Sequence, residues 1–91
     1  MNIRVMKVEN CFAETQTYEY MLEISGGEFL EGLTDWEVRV NQKLRRPAGI
    51  AQRDGVVIKT VLDGHSVRVS FPDACWLEKK IEFEEYLRNL P

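Results

Sequence analysis

The chain has 91 residues, of which 44% are hydrophobic and 30% charged, and it carries a net charge of −3. That length suits one domain over residues 1–91, and the apolar fraction is high enough to offset chain entropy, which excludes a disordered chain. Uncharged apolar runs such as Val56–Ile58 fall far short of the ~20 residues of a membrane-spanning helix. Met1–Glu9 breaks its apolar residues with Arg4 and Lys7 and lacks the apolar centre of a secretory signal. The expectation is a cytoplasmic protein with no membrane contact.

In chain order, Ile3, Val5 and Val8 suggest a first strand. Tyr18, Tyr20, Leu22 and Ile24 alternate with Glu19, Met21 and Glu23 as a second, which Ser25-Gly26-Gly27 closes as a turn. Thr34 to Leu44 reads two ways. Thr34 with Glu37 fits a capping box and Trp36, Val40 and Leu44 recur every four residues, but Trp36, Val38 and Val40 also alternate with Glu37, Arg39 and Asn41. The alternation favours a strand over 36–41. Pro47 then disfavours helix at Arg46, and Gly49–Gln52 forms a short strand.

Asp54-Gly55 and Asp63-Gly64 both read as two-residue hairpin turns of type I′, because Gly takes positive φ freely and Asp better than most residues. Between them Val56–Leu62 is β-branched and nearly continuous in apolar character, as a central strand is. Val67, Val69 and Phe71 alternate with Ser66, Arg68 and Ser70 as its partner, and Pro72 ends that strand. From Asp73 to Leu90 two readings stand. One is a strand, with Trp76, Glu78 and Lys80 on its charged face, followed by a short helix. The other is one long helix with Asp73 as N-cap and Leu77, Ile81, Phe83, Leu87 and Leu90 on one side. The fold class is therefore mainly β with a short C-terminal helix, α+β, as a small antiparallel sheet or an SH3-like barrel with an N-terminal β extension.

The stretch Arg45-Arg46-Pro47-Ala48-Gly49-Ile50-Ala51, with Val56–Leu62, Asp63-Gly64 and Val67-Arg68-Val69-Ser70-Phe71-Pro72-Asp73, resembles the middle of small SH3-like barrels of the Tudor and KOW type. The resemblance covers under a third of the chain. It implies a five-stranded barrel that binds proteins or nucleic acid without enzymatic activity, and it assigns no individual site residue.

Chemistry-bearing groups are few. The single histidine, His65, follows a turn and reads as a solvent-facing residue, and no nucleophile, base and orienting group belong together, so no catalysis is expected. Glu84-Glu85 lie among Lys79, Lys80 and Arg88 as a solvated face with i, i+4 partners. Gly26-Gly27 is followed by Glu28 and Glu31, which would repel a phosphate. One His and two separated Cys cannot close a metal site, so no metal and no cofactor are expected, and Cys11 and Cys75 are read as free thiols.

Charge is distributed unevenly. Residues 1–35 and 60–91 are acidic on balance, whereas 36–59 hold Arg39, Lys43, Arg45, Arg46, Arg53 and Lys59 against Glu37 and Asp54. The expected function is a non-enzymatic protein-interaction or regulatory domain, an inhibitor or adaptor of another macromolecule or a self-associating one, since such asymmetry at modest net charge suits steering toward a protein. The alternative is a nucleic-acid-binding module that uses the basic segment 39–59, with Trp36 or Trp76 as a stacking surface. Its candidate residues are Arg39, Lys43, Arg45, Arg46, Arg53, Lys59 and Trp76, and a sequence pI near 5.2 weighs against it.

Overall fold

Asp54 and Gly55 sit at φ of 51° and 82°, both in the left-handed region that the central residues of a type I′ turn occupy. In the computed structural model, which describes residues 3–8, 15–43 and 45–90, this turn joins β4 (Ala48–Arg53) to β5 (Val56–Val61), and β6 (Ser66–Pro72) follows. The three pair in succession as antiparallel neighbours, and β3 (Glu37–Asn41) pairs with β4. At the N-terminus β1 (Arg4–Val8) and β2 (Thr15–Met21) form a further antiparallel pair, and β2 joins the meander through β6. The result is one six-stranded sheet in the order β1-β2-β6-β5-β4-β3. The sheet stays open, with β1 and β3 as its edges, so the antiparallel sheet is the arrangement present and the five-stranded barrel implied by the resemblance is not.

Two helices cover one face of this sheet. The first, α1 (Gly26–Glu31), occupies a segment that the sequence suggests is only a turn. Two glycines at its start mask it, because glycine is a poor helix former. Ser25 caps it, its hydroxyl accepting from the Glu28 amide at 3.2 Å, and Phe29 and Leu30 anchor it in the core. Gly26 lets α1 press against the sheet. A Cβ there would collide with Thr60 Oγ1 and stand 2.6 Å from the Val61 carbonyl oxygen.

The second helix, α2 (Trp76–Arg88), settles the C-terminal ambiguity in favour of one continuous helix preceded by a 3₁₀ turn at Asp73–Cys75. Asp73 is not its N-cap. The 3₁₀ turn separates Asp73 from the helix start, and its carboxylate accepts from Gln16 Nε2 at 2.9 Å instead. The inward side also differs from the expected one: Leu77 and Ile81 are exposed, whereas Phe83 and Leu87 are buried and Trp76, Tyr86 and Leu90 pack against the core. The spacing 76, 80, 83, 87, 90 follows the 3.6-residue helical period, and the apolar residues at 77 and 81 fall outside it.

The core lies between sheet and helices. Tyr20, Ile58, Val67, Val69 and Phe71 from the strands meet Phe29, Leu30, Phe83 and Leu87 from the helices. Phe83 sits at its centre, edge-on to Tyr20, Phe29 and Phe71 with ring centroids 5.1 to 6.1 Å apart. The second Asp-Gly pair departs from expectation. Only Gly55 among the described glycines has positive φ, and β5 and β6 are joined by the four-residue loop 62–65 in place of a two-residue turn. That loop is held by α1, since the Gly26 and Gly27 amides donate to the carbonyls of Gly64 and Leu62 at 2.8 and 3.0 Å. Of the two cysteines, Cys75 is a free, half-buried thiol, and Cys11 lies outside the described residues. No helix among the described residues is long and apolar enough to cross a membrane.

Candidate interaction surface

Strand alternation divides the sheet into two unlike faces. Residues such as Tyr20, Val67, Thr60 and Ala51 point toward the helices and are buried. Their neighbours point the other way, where no helix among the described residues covers them, although Thr17 on that side is itself buried. Pairing sets these outward residues in a transverse row: Arg39 opposite Ile50, Ile50 opposite Lys59, Lys59 opposite Arg68, Arg68 opposite Glu19, and Glu19 opposite Met6. Arg4 belongs to the same face, as do Met21 and the Thr17–Ser70 hydroxyl pair at 3.0 Å. Met6, Met21 and Ile50 are exposed there as large apolar side chains.

The electrostatics of the row are unbalanced. Lys59 and Arg68 stand directly across β5 and β6, an arrangement of like charges that weakens a sheet. Arg68 has Glu19 at 3.9 Å and Arg39 has Glu37 at 3.1 Å, but Lys59 makes no ion pair among the described residues. At one end of the face, the loop from β3 to β4 adds Lys43, Arg45 and Arg46, all exposed. Arg46 reaches Asp63 of the neighbouring loop at 3.1 Å. Acidic residues gather on the helix side, which carries Glu28 and Glu31 on α1 and Glu78, Glu82, Glu84 and Glu85 on α2.

The candidate residues expected from sequence therefore do not form one cluster. Arg39 and Lys59 share the uncovered face, and Lys43, Arg45 and Arg46 lie on the loop at its end. Arg53 belongs to the opposite face, where it pairs with Asp54 at 3.6 Å and lines a cleft beside α2. Trp76 is no exposed platform: half-buried, it stacks on Tyr18 with ring centroids 6.2 Å apart, as part of the packing under α2. Arg4, Arg68, Met6, Met21 and Ile50 join this face beyond the residues expected from sequence, and the alternation of Arg68 with Val67 and Val69 is the signal that places it opposite the core face.

Beneath α2 a polar cluster ties helix to sheet. Glu84, with its side chain 14% exposed, accepts from the Tyr20 hydroxyl at 2.9 Å and is paired with Lys80, whose ammonium also lies 5.0 Å from the centre of the Tyr18 ring. Burial would raise the Glu84 pKa, but hydrogen bonds from Lys80 and Tyr20 and the positive charges of Lys80 and Arg88 hold it below its usual range. Burial first, and then the carboxylate, push the Tyr20 hydroxyl far above its usual value. The pair is a structural clamp that orients α2. Comparison of the chain with protein-family models, curated proteins and solved structures finds no match.

Proposed function

We propose that this chain is a non-enzymatic, cytoplasmic protein-interaction domain whose uncovered sheet face receives an acidic segment of a partner protein. The observation that supports this reading is the juxtaposition of Lys59 and Arg68 on a face no described helix covers, with Lys59 lacking a carboxylate. An external carboxylate placed between them would relieve their repulsion. Exposed Met6, Met21 and Ile50 offer adaptable apolar contact around the charges, as protein interfaces require. Nucleic acid fits this face less well, because every Trp, Tyr and Phe among the described residues with a ring contact sits on the helix side, so none of those rings offers bases a stacking surface there.

The test is a titration of the isotopically labelled protein with a short peptide alternating glutamate and valine, followed by amide shifts. Perturbation centred on Ile50, Lys59 and Arg68, and its loss in the Lys59→Ala, Arg68→Ala double variant, supports the reading. Shifts confined to the helix side would overturn it, as would an oligonucleotide that binds this face where the peptide does not.

A further inference from the structure

On the opposite side of the sheet, a cleft of about 270 Å³ opens between the loop after α1, the β4–β5 turn and α2. Its apolar walls are Trp36, Phe83, Tyr86, Leu33 and Val56, and Tyr86 is fixed by its hydroxyl donating to the Gly32 carbonyl at 3.4 Å. Charges of both signs line the same space: Arg53 and Lys79 against Asp35, Asp54 and Glu82. Arg53 and Asp54 satisfy each other at 3.6 Å, but Lys79, Asp35 and Glu82 make no ion pair among the described residues. Lys79 is unpaired although half-buried.

A ligand of a single sign would satisfy one set of these charges and be repelled by the other. A neutral apolar ligand would desolvate the half-buried Lys79 ammonium without replacing its water, which carries a penalty, whereas the exposed Asp35 and Glu82 carboxylates would be left without a partner. Only a molecule bearing both charges close together, on an apolar body able to lie against the rings, complements every part of the wall. The cleft is open to solvent on one side, and its volume suits the body of a small molecule.

We propose that this cleft binds a small zwitterion with an apolar body, the chemistry of a free α-amino acid with an aromatic or branched side chain. Its carboxylate faces Lys79, its ammonium faces Asp35 and Glu82, and its side chain covers Trp36 and Tyr86. The site lies across the sheet from the interaction face and stands independently of it.

The experiment compares L-phenylalanine and L-leucine with 3-phenylpropionate, which keeps only the negative charge, and phenethylamine, which keeps only the positive one. Each is titrated into the labelled full chain up to about 10 mM, a range that reveals millimolar affinity. Saturable amide shifts at residues 32–36 and 53–56 with an amino acid, and affinity at least about tenfold lower for both single-charge analogues, are expected. Lys79→Glu should lower amino-acid affinity while leaving shift dispersion, and hence the fold, intact; Trp36→Ala should abolish binding. Equal binding by a single-charge analogue would overturn the proposal. So would the absence of shifts in the cleft with every ligand, or unchanged affinity in the folded Lys79→Glu protein.

Discussion

Glu84 shows how one buried carboxylate links a helix to a sheet. Its oxygens meet the Tyr20 hydroxyl on β2 and Lys80 one turn earlier on α2, so removing its charge leaves a half-buried ammonium without its close partner. Glu84→Gln should therefore lower the free energy of unfolding at pH 7 by about 1–2 kcal/mol, read by urea denaturation. The pH dependence follows from the direction of each shift. Glu84 has a lower pKa folded than unfolded, so the unfolded chain binds more protons as acid is added; the stabilisation is present above the unfolded carboxylate value of about 4.3 and is lost as pH falls through the lower folded value. The difference between wild type and Glu84→Gln should shrink to nothing at low pH. Tyr20 acts in the other sense: its folded pKa is raised, so its contribution holds below about pH 10 and is lost as pH rises beyond that. A stability gap between the two proteins that persists at pH 2 would remove this account.

At the scale of elements, close approach decides what local propensity does not. The strands around Asp54-Gly55 are legible because turn chemistry and alternation agree there. Helix α1 is hidden because its amphipathic run is only Phe29 and Leu30 after two glycines, and the one local sign of it is Ser25 three residues before Glu28. Leu77 and Ile81 mislead for a related reason: hydrophobicity alone puts them inward, whereas the path of α2 is set by Phe83 among three rings. Gly26 is where this packing can be tested. Gly26→Ala forces a methyl group into Thr60 and the Val61 carbonyl and should cost about 1–3 kcal/mol. Gly32, at φ −80° and ψ −8° after the same helix, has nothing closer than 3.6 Å to an added Cβ. Gly32→Ala should be neutral or stabilising by up to about 1 kcal/mol, through reduced freedom of the unfolded chain. Thermal unfolding of the two variants checks the pair, and equal melting temperatures would contradict the contact assigned to Gly26.

For the whole molecule, the net charge of −3 conceals a division between faces. The basic middle of the chain is visible in the sequence, but which of its cations act together is not, because strand register decides the face: Arg39 and Lys59 fall on one side of the sheet and Arg53 on the other. Arg4 and Arg68, from acidic stretches of the sequence, join the first group through the same register. This division bears on whether a polyanion could use the face. Each phosphate neutralised adds ~0.7–0.9 to the slope of log affinity against log salt, so binding through several of these cations would be steeply salt-dependent. Three carboxylates already engage cations of this side, Glu19 with Arg68, Glu37 with Arg39 and Asp63 with Arg46, and a phosphate would have to displace them. The acidic helix side adds long-range repulsion, which a compact acidic peptide avoids by its short reach and a long duplex does not. Mixed-sequence single- or double-stranded nucleic acid should therefore show no binding at micromolar protein and physiological salt, measured by fluorescence anisotropy. Micromolar affinity that strengthens as salt is lowered and disappears when Lys59 and Arg68 are both changed to alanine would make the uncovered face a nucleic-acid surface instead.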